Sequence, residues 1–293
     1  MSKKILVLLI ILVAGGLLWR KTQVVETTEK KLPVNILLLG YGGEGHDGAN
    51  LTDTMIIAHL DAASKSAVLV SVPRDIWYGD SKINAYFEKD PSTALRAVTQ
   101  VTGLPIDKYV AGDFAGFTEI IDLLGGVDVK VETAFDDPEY PIAGKENDPC
   151  YSCRFENLRF EAGVIHMDGQ TALKFVRSRH SAVDGTDFGR SVRQRNLLLA
   201  VREKVMSLNV IPQLPALYIK LRDHVRTDFT LEDLKYFLPK AGEFANYKVS
   251  QVALTDENVL QYAWSDEGQM ILIPKEGAEK WEGVRKWVGE QLR

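Results

Sequence analysis

The stretch that decides the fold runs from NILLLG (35–40) through LTDTMIIAHLD (51–61) to AVLVSVPRD (67–75). Three apolar runs follow one another, separated by a glycine-rich segment (40–48) and a polar turn (61–66). Runs this short and this continuously apolar, bounded by turn residues, read as buried strands rather than amphipathic helices. Outward from them the period changes. Over 91–102, Ala94, Leu95, Val98 and Val101 fall on one helical face. Phe117, Ile120, Ile121 and Leu124 do the same, and Gly125-Gly126 stops that helix. Strands are expected at 109–114 and 127–131, and a long loop at 136–157. Asp168 is the expected N-cap of a helix over 169–176. Further helices are expected at about 188–206, from Thr230 and Asp233 to about 244, and over 278–292, with strands at 249–254 and 269–273. Strands alternate with helices, so the expected fold is α/β, a three-layer α/β/α arrangement with a central mixed sheet flanked by helices.

The chain has 293 residues, 45% hydrophobic and 26% charged, which is enough for one large domain or two small ones. Its 35 basic and 40 acidic side chains give a net charge of −5, a poor footprint for a general nucleic-acid binder. Two cysteines exclude a disulfide-dense scaffold and cannot alone complete a four-cysteine zinc site. They stand close together as Cys150 and Cys153 in the long loop. A local disulfide is the favoured reading, with free thiols or partial metal binding as alternatives.

Ile5 to Trp19 carries no charge and is flanked by Lys3-Lys4 and Arg20-Lys21. As a helix it spans about 22 Å, short of a roughly 30 Å hydrocarbon core. A cleaved signal is therefore one reading. No small-x-small site follows, however, and Trp19, Arg20 and Lys21 suit a membrane interface. The expectation is a transmembrane anchor at 1–21 and a linker at 22–33. A catalytic domain at 34–207 and a C-terminal elaboration at 208–293, packed on the core, would follow. The bulk of the chain would lie outside the cytoplasmic membrane.

Three segments could carry chemistry. Lys174, Arg177, Arg179, Arg190, Arg193 and Arg195 crowd one stretch of an otherwise acidic chain, against Asp184 and Asp187 alone. Arg177 and Arg179 would share a face if the backbone there is extended. Asp187, Arg190 and Gln194 share a helical face, which Arg193 could join. Converging guanidinium forks suit a phosphate or diphosphate, although most charged helix faces are only solvated. Arg74-Asp75 follows a strand and a proline, at the strand end where α/β sheets gather ligands. Asp53 offers the hard oxygen that magnesium prefers when it also binds phosphates.

At these residues the sequence resembles the LytR-CpsA-Psr family of bacterial cell-wall enzymes. The matching segments are NILLLG (35–40), LTDTMIIAHLD (51–61), VLVSVPRD (68–75), KINAYF (82–87), DFAGFTEIIDLLGGVDVKV (113–131), HMDGQTALKFVRSRH (166–180) and DFGRSVRQR (187–195). The resemblance implies a single-pass protein of the cytoplasmic membrane with its domain outside. It would be a phosphotransferase moving a glycopolymer from a polyprenyl-diphosphate carrier onto peptidoglycan, through a phosphodiester. It also implies an α/β/α fold with an apolar cleft for the polyprenyl chain. Asp53 matches the metal-binding aspartate, with Mg²⁺ (or Mn²⁺) as cofactor and Asp47 as the compensating ligand where Tyr41-Gly42 replaces a more usual aspartate. Arg74, Arg177, Arg179, Asp187, Arg190 and Gln194 match the motif residues. Lys82 and Arg193 join them as expected diphosphate binders, and Asp75 is the expected acceptor of the incoming hydroxyl's proton. No nucleic acid is expected as a partner. The alternatives are a carrier-lipid binder or hydrolase without transfer activity and, with less support, a transcriptional regulator.

Overall fold

The computed structural model describes residues 33–292, apart from 45, 47, 143, 146, 184–186, 208–220, 231, 234, 235, 238, 239 and 241–246. The expected anchor and nearly all of the linker lie outside the described residues. Among the described residues, no helix is long and apolar enough to cross a membrane.

The three apolar runs are β1 (Val34–Tyr41), β2 (Thr52–Asp61) and β3 (Ser66–Ser71), paired as an antiparallel meander. A small hairpin follows, β4 (Trp77–Tyr78) with β5 (Ser81–Lys82), and then one turn of helix, α1 (Tyr86–Lys89). Helix α2 (Pro91–Thr102) starts with proline at its first position and Asp90 accepting from the Ser92 amide, and it ends on Gly103 at φ 75°. Strand β6 (Lys108–Asp113) returns parallel to β1. Asp113 then caps α3 (Phe114–Leu123) through the Gly116 amide.

Strands β7 (Val127–Val131), β8 (Phe135–Pro141), β9 (Phe155–Phe160) and β10 (Gly163–Met167) form two side ladders, β7 with β10 and β8 with β9. The expected long loop is therefore strand at both ends. Phe135, Asp137 and Tyr140 point inward there, and the intervening charges masked that alternation. Cys150 and Cys153, between the two strands, are joined by a disulfide with Cα atoms 5.2 Å apart. Helix α4 (Gly169–Arg177) is capped by Asp168, and α5 (Asp187–Ser207) follows. The chain ends with β11 (Val225–Thr227), β12 (Lys248–Ala253), the hairpin β13 (Leu260–Trp264) and β14 (Met270–Pro274), and helix α6 (Glu282–Gln291).

The central sheet is mixed, in the order β11-β6-β1-β2-β3-β12. Its two outer strands come from beyond residue 207, so the expected boundary there is not a structural one. Residues after 207 complete the sheet rather than only packing on it. One face, with Leu37, Leu39, Ile57, Val68 and Val70, is filled by Ala94, Val98 and Val101 of α2 and Val284 and Val288 of α6. On the other face Ile36, Ala58, Leu60 and Leu69 meet Phe229, Phe237 and Tyr247 at one end. At the opposite end of that face α3, α4 and α5 stand off from the strands. They make a core of their own with β7 to β9, built on Val127, Val129, Phe135, Phe160, Phe175 and Leu197.

Candidate functional site

The pairing directions put one set of strand ends together. β1 and β6 are parallel, and β2 is antiparallel to both β1 and β3. The carboxyl ends of β1, β3 and β6 therefore share an edge with the beginnings of β2 and β11. Asp53 enters β2 there, Arg74 leaves β3, Asp113 closes β6, and His224 precedes β11. Residues distant in sequence meet because the topology alternates.

Behind that edge lies a cleft of about 500 Å³. Its floor is the open half of the sheet face, with Leu38, Gly40, Ile56, Val110 and Gly112. Its roof is Phe117 and Ile120 of α3, Leu173 and Val176 of α4, and Leu197 and Leu198 of α5. Gly40 and Gly112 are cross-strand partners, and a Cβ built on Gly112 meets nothing within 4 Å. Two adjacent glycines thus keep the floor low. The mouth carries Asp53, Arg74, Arg177, Arg179, His180 and Gln194. An apolar channel ending in guanidinium groups fits an amphiphile with an anionic head.

On one side of the mouth, charges form a chain. Arg74 donates to Asp53, Arg74 Nε lies 3.6 Å from Asp75, and Lys82 donates to Asp75 at 2.7 Å. The backbone of this turn is held from the C-terminal segment, because the Leu272 amide donates to the Asp75 carbonyl at 2.9 Å. Lys82 does not line the cleft; it holds Asp75. Asp75 has one oxygen on Lys82 and the other facing Arg74. A proton acceptor there would first have to give up an ion pair, which tells against the role expected of it.

On the other side, Arg177 is the last residue of α4 and Arg179 lies two beyond it. They do not share an extended run as expected; the helix ends between them, and both still reach the mouth. The Arg177 guanidinium lies over the Phe114 ring at 4.3 Å, which fixes its plane. Arg193 is not at the mouth. It is 2% exposed, donates to the Ser178 carbonyl at 2.5 Å and lies over Phe135, so it braces the turn that carries Arg179. Gln194 lines the cleft. Asp187 and Arg190 have their backbones in α5, but their side chains lie outside the described residues, as does Asp47. Lys174 and Arg195 are spent elsewhere, on Glu156 and Glu132.

Sequence reasoning passed over several groups here. Asp137 is fully buried and accepts from the Ser178 hydroxyl at 2.7 Å and the Arg179 and His180 amides at 2.9 and 3.2 Å. Burial alone would raise its pKa; the hydrogen bonds from Ser178 and the backbone outweigh it and hold the carboxyl below the usual carboxylate range. Asp113 accepts from the Gly116 amide and pairs with His224 at 2.9 Å. That bond raises the His224 pKa, against a smaller opposing effect of burial. Asp113 was legible by the argument applied to Arg74, since it ends a strand and opens a helix. Asp137 sat in the segment read as loop.

Magnesium is the metal that the resemblance implies. Among the described residues, no three histidine, cysteine or acidic side chains are grouped to hold a metal ion. Asp53, at the mouth of the cleft, offers a hard carboxylate oxygen that could serve such an ion beside a ligand's phosphate oxygens.

Fold and site together define a mixed α/β protein with an arginine-rich mouth on an apolar cleft. A model of the LytR_cpsA_psr family matches residues 18–279, and the chain belongs to that family. A polyisoprenyl-teichoic acid–peptidoglycan teichoic acid transferase, TagU of Enterococcus faecalis, is 28% identical over 88% of this chain and 82% of its own length. TagV of Bacillus subtilis, named for the same transfer, is 30% identical over 78% of this chain and 58% of its own length. The crystal structure of B. subtilis TagV superposes with a TM-score of 0.64 at 28% identity, covering 90% of this chain and 98% of that one. Lin1025 of Listeria innocua gives 0.59 at 25% identity, over 89% and 99%.

Proposed function

We propose that this protein is a phosphotransferase that moves a glycopolymer from a polyprenyl-diphosphate carrier onto peptidoglycan, outside the cytoplasmic membrane and anchored by residues 1–21. The observation that carries the reading is the junction of a long apolar cleft with Asp53, Arg74, Arg177, Arg179 and Gln194 at one mouth. The relatives named for this transfer support it, with identities of 28% and 30% over most of the chain.

The polyprenyl tail would lie between the glycine floor and the helical roof, displacing water from apolar walls. That places the diphosphate at the mouth, where charge develops on phosphoryl and leaving oxygens during transfer. Arg74, Arg177 and Arg179 supply fixed N–H donors to those oxygens, with Arg190 and Gln194 as further orienting groups and Asp187 as a brace for arginine. Arg177 needs little reorganisation because Phe114 already sets its plane. Asp53 would hold Mg²⁺ together with the diphosphate, and the ion would supply electrostatic relief to the phosphate oxygens. A carrier lipid stays in the bilayer, so anchoring the domain raises its effective concentration.

Incubation of the full chain with a synthetic polyprenyl-diphosphate-linked sugar, Mg²⁺ and a peptidoglycan glycan tests this. Phosphodiester-linked sugar on the glycan, with release of polyprenyl phosphate, is the expected result. Sugar phosphate released to water instead would mark a hydrolase. Tight donor binding without turnover would mark a carrier-binding module.

A further inference from the structure

Transfer requires a group that takes the proton of the attacking hydroxyl, and most acids at the mouth are already engaged. Asp75 is held by Lys82 and Arg74, and Asp53 by Arg74. Asp113 is held by His224 and the Gly116 amide. Asp137 has no exposed surface. Among the described side chains that line the cleft, the one histidine is His180. Its ring is half exposed, and its Nδ1 stands 3.8 Å from Asp137 Oδ1. The neighbouring Asp137 oxygen receives Ser178 Oγ and the amides of Arg179 and His180. The Glu139 amide donates to the Oδ1 that faces the imidazole. The same carboxylate thus sets the backbone of the turn and faces the ring that the turn carries.

Resting on the transferase reading above, we propose that His180 is the general base of the reaction and that Asp137 is its positioning residue. The imidazole keeps its proton on Nδ1, toward Asp137, and leaves Nε2 free for the acceptor hydroxyl. The hydroxyl oxygen forms a new bond to the sugar-bearing phosphorus, and its proton passes to Nε2. The bond from that phosphorus to the bridging oxygen breaks, and polyprenyl phosphate leaves with the electron pair. The proton returns from His180 to solvent. Asp137 stays ionised throughout, in keeping with its depressed pKa, and neutralises the imidazolium as it forms. The arrangement is a base oriented by a buried acid, which fixes tautomer and ring plane. A contact slightly longer than a hydrogen bond before substrate arrives is usual for such pairs.

The first test is kinetic. His180→Gln should lower kcat by about 10²- to 10⁴-fold while the dissociation constant for farnesyl diphosphate, used as a donor probe, stays within twofold. Added imidazole should partly restore His180→Ala. A variant that keeps kcat within threefold of the parent overturns the assignment, as does one that loses donor binding in step with turnover. The second test needs no turnover. In long-range ¹H–¹⁵N spectra of histidine-labelled protein, His180 should appear as the Nδ1–H tautomer. The Nε2–H tautomer overturns the inference whatever the enzyme transfers. Failure of the parent protein to transfer, with the Nδ1–H tautomer present, counts against the transferase reading instead.

Discussion

The two faces of the central sheet use the same strands for opposite ends. Leu37 looks toward α2 and α6 and has no exposed surface; Leu38, the next residue, looks into the cleft and is half-buried. Strand side chains alternate, so β1, β2 and β6 each offer one set to a filled core and part of the other to the cleft. The filled face carries Ile, Leu and Val. The open face places Gly40 and Gly112 where bulk would block the way. Stability and ligand shape are therefore written in interleaved positions, and substitutions one residue apart should have different consequences.

The largest effect is expected at the mouth. Asp53→Ala and Arg74→Ala should each lower transfer by about 10³-fold or more, in line with loss of an arginine that stabilises a phosphoryl-transfer transition state. Thermal melting should confirm that both remain folded, and undiminished transfer in both would remove the site assignment. Next comes the direct contrast between faces. Leu37→Ala should cost about 2–5 kcal/mol in denaturant unfolding, because its cavity is enclosed. Leu38→Ala should cost on the order of 1 kcal/mol, since its side chain already borders a void. Equal losses would break the comparison.

A smaller effect sharpens it. Gly112→Val adds bulk on the open face at a strand position with room for the new Cβ. Unfolding free energy should change by about 0.5 kcal/mol or less, while binding of a polyprenyl-diphosphate analogue, followed by calorimetry, should weaken at least about tenfold, or 1.4 kcal/mol. The smallest effect concerns His224, whose pKa is raised in the fold by its bond to Asp113. A raised value means that its stabilising contribution is complete below the unfolded histidine value of about 6.5 and disappears as pH climbs through the folded value. His224→Asn should therefore be more destabilising in urea at pH 5.5 than at pH 8.5. The reverse order would show that the pair does not hold charge as described.

Much of this was legible in the amino-acid sequence, and the parts that were not have specific causes. β1 to β3 announce themselves because parallel or doubly covered strands are apolar on both sides. α2 is bounded by Asp90-Pro91 and Gly103, a start and a stop with separate mechanisms. Arg74, Arg177, Arg179 and Gln194 were readable as anion-binding groups and Asp53 as a hard oxygen for a metal ion, and the five line one cleft. β8 and β9 were hidden because their outward positions are charged and the span between them is rich in Pro, Asp and Glu. Arg193 was misassigned for a related reason. Periodicity gives the face of a helix, not what covers that face, and Phe135 with the Ser178 carbonyl covers this one. Asp137 and His180 became visible as a pair only after the β8 backbone was known to run beside the end of α4.

The seam between β3 and β12 has a consequence for biosynthesis. β3 (Ser66–Ser71) is made early, and its partner (Lys248–Ala253) comes from the last part of the chain. Until residue 253 has been synthesised, β3 presents a bare hydrogen-bonding edge on an apolar sheet. Nascent or truncated chains are thus the vulnerable species, open to edge-to-edge association, and closure must await a contact of high sequence separation that is slow to find. Products ending before Lys248 should accumulate as aggregates, while chains that include β12 cover the β3 edge.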